Sequence, residues 1–157
     1  MSLNSAHIGY AYQDLLTSYF ILKEILGGNK NSLFSIDKKH TSNDRFDDLV
    51  IKNGSKIQRK QIKYSDKINS KELAKDDLSN DSNYKLAIYK LYETWKSLNS
   101  SNSEFRLCLA WDEPTEENIK PVLNPISNSF SSFSTFSTKL YKINLDNLWE
   151  ENPEKFN

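Results

Sequence analysis

Apolar residues recur along this chain at two periods, near 3.6 and near 2, and the change of period marks out its elements. From residue 6 to 26, Ile8, Ala11 or Tyr12, Leu15, Tyr19, Leu22 and Leu26 repeat at helical spacing, and Gly27-Gly28-Asn29 stops the run. Leu33-Phe34-Ser35-Ile36 reads as a short first strand, and residues 44–64 read as two more strands joined by a tight turn. A polar stretch then leads into a short helix around residues 71–78. A longer helix over about 84–98 carries Tyr84, Ile88, Leu91, Trp95 and Leu98 on one face, a stripe read as core rather than as a ligand platform. The nearly continuous apolar run Phe105 to Trp111 predicts a central strand covered on both faces, ended by Asp112-Glu113-Pro114. Residues 127–138, rich in serine with Phe130, Phe133 and Phe136, form a loop or a helix with three phenylalanines on one side. Leu140 to Leu145 reads as a last strand, and a capped turn or helix from Asp146 runs out at Pro153.

The turn at Asn53-Gly54 is the sharpest local signal, because a type I′ hairpin turn needs positive φ at both central residues. With those two residues as the loop, Val50 falls opposite Ile57, Asp48 opposite Arg59 and Phe46 opposite Gln61. Paired residues share a face of the sheet, so Asp48, Gln61 and Lys63 project from one side and Asp47 from the other with Leu49 and Ile62. A three-residue loop would exchange Asp47 for Asp48.

That grouping has a chemistry. A carboxylate beside an amide oxygen holds a hard cation such as Mg2+ or Mn2+, which prefers oxygen ligands and keeps several of its waters. Asp48, Gln61 and the carbonyl of Ile62 are the candidate ligands. A lysine two residues along, Lys63, is placed to orient an attacking water and to offset charge developing on a phosphate. These are the parts needed for phosphodiester hydrolysis.

Composition bounds the reading without deciding it. At 157 residues the chain is long enough for a single core built on a sheet with flanking helices. Lysine plus arginine equals aspartate plus glutamate at 21 each, so the overall charge gives no reason to expect nucleic acid. The distribution does: Lys52, Lys56, Arg59, Lys60, Lys63 and Lys67 cluster on and just after the hairpin, and Lys56, Arg59, Lys60 and Lys67 are the candidate phosphate contacts. The competing reading is a solvated lysine-rich strand that blunts a sheet edge. Cys108 is alone, so a disulfide framework is excluded and a buried inert thiol is expected. The two histidines show no zinc spacing, no glycine-rich phosphate loop or nucleophile elbow occurs, and no apolar run nears the twenty or so residues that span a bilayer. A cytoplasmic protein without a membrane partner is expected.

With its Asp47-Asp48 pair, Asn-Gly turn and Gln61-x-Lys63 triplet, the chain resembles the PD-(D/E)xK restriction-endonuclease-like nucleases, in the Gln-x-Lys form of the Mrr-like branch. Gly9-Tyr10-Ala11-Tyr12-Gln13 looks like the Gly-x-x-aromatic-Gln/Glu helix that precedes the hairpin in that branch. The resemblance spans residues 7–64 and is similar to the nuclease domain at the front of bacterial anti-phage effectors, including cyclic-nucleotide-signalled (CBASS) and NACHT/STAND-type systems. It implies an α/β fold with a restriction-endonuclease-like core, a mixed central sheet with an antiparallel hairpin flanked by helices. It also implies duplex DNA as substrate, Mg2+ or Mn2+ as cofactor, 5′-phosphate products, and a catalytic set of Asp48, Gln61, Lys63 and Gln13, with Asp47 as the alternative acid. Gln13 and Glu24 share a helical stripe but stand about 16 Å apart along the axis, so both cannot reach one metal; the resemblance selects Gln13. Gln13 and Gln61 stand where relatives carry acids, which lowers the expected metal affinity and keeps open an inactive nuclease-fold module for DNA binding or self-association. The whole chain is expected to be one domain at the N-terminal end of a larger protein that forms homo-oligomers through further domains.

Overall fold

The structure, a computed structural model, describes residues 3–64, 72–79, 86, 88–111, 114, 117–126, 141–144 and 147. Helix α1 (Leu3–Leu26) is followed by strands β1 (Leu33–Ile36), β2 (Leu49–Asn53) and β3 (Lys56–Tyr64). Helices α2 (Lys75–Ser79) and α3 (Ile88–Leu98) lead to β4 (Ser103–Ala110), a 3-10 turn (Glu117–Ile119), β5 (Leu123–Pro125) and β6 (Tyr141–Ile143). The four-stranded sheet has the order β1-β2-β3-β4: β2 is antiparallel to both β1 and β3, and β4 lies parallel to β3. Parallel neighbours need a long crossover, and α2 and α3 lie within it. β5 and β6 form a separate antiparallel pair. The Ser/Phe-rich stretch at 127–138 and the C-terminal turn after Asn147 lie outside the described residues, as does the start of the helix expected from residue 84.

Helix α1 ends where its glycines require. Gly28 takes φ +88°, and the bonds from Gly28 N to the Ile25 carbonyl (3.1 Å) and from Asn29 N to the Glu24 carbonyl (3.2 Å) close a Schellman motif. The apolar stripe of this helix does not meet the sheet. Ile8, Leu15, Tyr19, Leu22 and Leu26 are exposed, while the opposite side, with Gln13, Thr17, Phe20 and Glu24, covers the sheet. Contacts fix that orientation: Tyr12 packs on Tyr64, Lys60 Nζ lies 4.6 Å from the Phe20 ring centroid, and Asn53 Nδ2 donates to Glu24 Oε1 at 3.3 Å. Glu24 also accepts from Ser32 Oγ at 3.1 Å, so it ties the helix end to the sheet and takes no part in the site near Asp48.

The other sheet face carries the core. Phe46 stacks edge-on against Phe105 at 5.1 Å, and Leu73, Leu78, Leu86, Ile88, Leu91, Ile119, Val122 and Leu123 bury around it. On α3 the buried positions are Ile88, Leu91 and Thr94. Thr94 displaces the expected Trp95 because its hydroxyl donates to the Asn43 carbonyl (3.0 Å) and accepts from Arg45 N (3.1 Å), pinning the approach to β2. Trp95 is left half-buried and stacks on Tyr92. Among the described residues β4 is the outer strand of its sheet, and β3 is the inner strand beside it, contrary to the central placement expected. The apolar run misled because Phe105, Leu107 and Leu109 face the core while the alternate positions Glu104, Arg106 and Cys108 lie beside Gln58, Lys60 and Ile62.

The β2–β3 turn is built differently from the Asn-Gly expectation. Asn53 pairs with Lys56 as the last residue of β2, so Gly54 and Ser55 form the loop, and Gly54 alone has positive φ, at +57°. Glycine at the first central position is the type II′ requirement. A Cβ at Gly54 would meet open space, so Gly54→Ala should cost only the left-handed backbone strain, about 1 kcal/mol. A fall of a few degrees in Tm is the expected result of a thermal melt, with Gly54→Asn losing less.

Candidate functional site

Moving the turn by one position shifts the strand register by two residues. Val50 lies opposite Arg59 and Leu49 opposite Lys60, where Ile57 and Gln58 were expected. A shift of two preserves which face each side chain takes, since strand periodicity is two. Asp48 therefore stays on the face of Gln61, and the corrected register places it directly beside Gln61 rather than Arg59. Gln61 Nε2 donates to Asp48 Oδ2, and the Ile62 backbone N–H donates to the same oxygen at 2.5 Å.

Asp48 is only 9% exposed, and burial is the main reason its carboxyl is pushed up to about 6. The Ile62 N–H and the Lys63 ammonium pull it down, whereas the nearby carboxylates of Asp47 and Asp37 push it further up. Ile62 thus contributes its N–H to this carboxylate, and its side chain is buried on the α1 side. Lys63 and Asp47 are half-buried and act on Asp48 through their charge.

Asp37 was missed by the sequence reading. It follows β1, and its N–H donates to the Asp48 carbonyl at 3.3 Å, while Lys38 N–H donates to the Asp47 carbonyl at 3.2 Å. The β1–β2 pairing thus continues past its last ladder residue and sets Asp37 beside Asp48. Asp37 has φ +49°, a conformation aspartate tolerates better than most residues. Gln13 reaches this position from α1, its Nε2 donating to Asp37 Oδ1 at 2.7 Å. Gln13 thus meets Asp37, the residue that follows β1. An acid immediately after the apolar run Leu33 to Ile36 was the available signal.

The expected nucleic-acid contacts divide. Lys56 is exposed at the turn, and Lys67 lies outside the described residues. Arg59 and Lys60 are not surface groups: they are 7% and 1% exposed. Arg59 faces the core side, where its Nη1 lies 3.4 Å from Asp44 Oδ2. Lys60 turns under α1, donates to Gln58 Oε1 at 2.8 Å and lies over Phe20; burial, then the Arg106 charge, push its ammonium down to about 8. Strand alternation sends neighbouring basic residues to opposite faces, and here both faces are covered. Cys108, on the same face as Lys60, is half-buried, and burial raises its thiol.

Among the described residues no group of three or more His, Cys, Asp or Glu side chains is placed to hold a metal ion. The groups next to Asp48 are instead the Gln61 amide and the Ile62 N–H, with Asp37 near enough to act through its charge and Gln13 bonded to Asp37. Asp48 Oδ2 accepts from the Gln61 amide and the Ile62 N–H, and Asp37 Oδ1 accepts from Gln13 Nε2. Carboxylate and amide oxygens are the ligand type that a hard divalent cation prefers.

Fold and site together define a mixed α/β protein with a buried carboxylate just before β2, an amide bonded to it, and a second acid and a lysine that act on it through their charge. No family model matches the chain, and neither a curated protein nor a solved structure gives a match. No helix among the described residues is long and apolar enough to cross a membrane.

Proposed function

We propose that this chain is a PD-(D/E)xK-type nuclease domain that hydrolyses phosphodiester bonds of double-stranded DNA with Mg2+ or Mn2+. The observation that carries the reading is the juxtaposition of Asp48 with Gln61, Asp37 and Lys63 at the β2–β3 strands, with Gln13 entering from α1. An antiparallel β1-β2-β3 meander followed by a helical crossover to a parallel β4 supports a restriction-endonuclease-like core. Asp48, Asp37 and the Gln61 amide oxygen would hold the cation, which supplies Lewis-acid stabilisation of charge on the phosphate. Lys63 orients the water whose oxygen bonds to phosphorus as the bond to the 3′ oxygen breaks. That oxygen leaves with a proton, and the 5′ phosphate remains on the other fragment. Gln13 holds Asp37 in place. We place the domain in a cytoplasmic anti-phage effector whose further domains bring two copies together on two strands.

The test is nicking of supercoiled plasmid with Mg2+ or Mn2+. Lys63→Ala and Asp48→Ala should each slow cleavage by roughly 100-fold or more. Variants that cut as fast as the parent would refute the assignment.

A second reading, a nuclease fold without chemistry, is favoured by one feature: the Gln61 amide donates to Asp48, so an internal donor already offsets the buried charge. Such a module would retain DNA at low salt and show no cation binding that depends on Asp48.

A further inference from the structure

We infer that the outward face of α1 is a homodimer interface, paired across a two-fold axis with the same face of a second copy. Ile8, Leu15, Tyr19, Leu22 and Leu26 lie within about 60° of one another around the helix and run for about 27 Å along it. Leu26 is 84% exposed, Leu15 67% and Leu22 57%, with Tyr19 and Ile8 each above two-fifths. This is the reverse of an ordinary surface helix, whose apolar stripe faces the core. The side facing the sheet is instead held by the polar contacts of Gln13, Glu24 and Asn53, so rotating the helix to hide the stripe would break them.

A second copy is the occupant that fits. The stripe exposes on the order of 600 Å² of largely apolar surface, close to the ~800 Å² that each partner contributes to a stable protein interface and at the upper end of what monomers leave bare. Its intervening positions Ala11 and Ser18 are small and uncharged, so the strip offers no charge for a charged partner to recognise and no like-charge repulsion against itself. Charge enters at the flank, where Lys23 Nζ lies 5.8 Å from the Tyr19 ring centroid. Antiparallel pairing sets the Leu22–Leu26 end of one copy against the Ile8 end of the other and brings opposite helix-dipole ends together. Because Gln13 lies on the far side of the same helix, the interface leaves each Asp48 site uncovered.

Sedimentation velocity on the full chain tests this. The parent should sediment at tens of micromolar as a dimer, twice the 18.2 kDa chain mass, and dissociate on dilution. Leu15→Glu and Leu22→Glu should each weaken the dimer by roughly 100-fold or more, because a charge lands in the centre of the contact. Leu33→Glu, an equally exposed leucine on β1, should leave it intact. The three side chains are exposed in the protomer, so circular-dichroism melts should match the parent at concentrations where all are monomeric. A parent that stays monomeric throughout overturns the inference, and this result needs no variant. A monomer would mean that another segment of the chain or a different partner covers the stripe. A dimer indifferent to Leu15→Glu and Leu22→Glu also overturns it.

Discussion

Asp48→Asn should yield a protein that no longer cleaves DNA yet is more stable than its parent at neutral pH. The amide keeps the size of the carboxylate and an oxygen to accept the Ile62 N–H. It loses the charge that would hold a divalent cation, so plasmid cleavage should fall by at least about 1,000-fold. The stability gain follows from the raised carboxyl of Asp48, pushed to about 6 mainly by burial. A carboxyl whose folded value exceeds its unfolded value of 3.8 binds its proton more tightly when folded. Its contribution to stability is therefore greatest below about 4, declines as pH rises from 4 to 6, and is level above. At pH 8 the parent holds a buried negative charge that the variant lacks, a difference on the order of 2 kcal/mol. Urea unfolding of the two proteins at pH 8 and pH 4 should show the variant ahead at the first and no advantage at the second. Carboxylates common to both cancel in that comparison.

Asp44→Ala should be the most damaging single change to stability, at about 3–5 kcal/mol. Asp44 is fully buried, accepts from His40 N (3.0 Å) and Phe46 N (2.9 Å), and faces Arg59, whose guanidinium is itself buried. Removing the carboxylate strands that cation and two backbone donors in the core at once. Asp44→Ala with Arg59→Met should recover part of the loss, since the pair is costly to break one-sidedly rather than strongly stabilising in itself. By contrast, breaking the exposed Glu117–Lys120 pair should change little. Chemical denaturation of the single and double variants measures the coupling. Asp44 also shapes the segment that leads to Asp47 and Asp48, so a folded Asp44→Ala protein should cleave more slowly.

Much of the architecture was legible in local signals. The run Leu33 to Ile36, the strand after Gly54 and the glycine stop of α1 formed where expected, because turn chemistry and glycine conformations act over a few residues, while the strand expected from Asp44 begins only at Leu49. Face assignment at Asp48 survived a wrong register because the error was two residues, a whole strand period. Asn53 was misread because its pull toward the strand, a bond to Glu24 from a distant helix, is invisible locally. The same holds for Arg59 and Lys60: a basic strand looks like surface until the core on one side and α1 on the other are known. The orientation of α1 was illegible because the helix carries apolar residues on several sides and polar tethers select the inward one. Asp37 comes beside Asp48 through backbone pairing beyond β1, at which its place directly after the run Leu33 to Ile36 only hints.

The proposed function stands on Asp48 and its neighbours holding a divalent cation. Titration of the full chain with Mn2+ by calorimetry addresses it without requiring activity, DNA or an assembled parent protein. We expect saturable binding of Mn2+ in the parent that is lost in Asp48→Asn and weakened in Asp37→Asn. A parent that binds no Mn2+, or an Asp48→Asn protein that binds it as tightly, would rule out a cation site at Asp48.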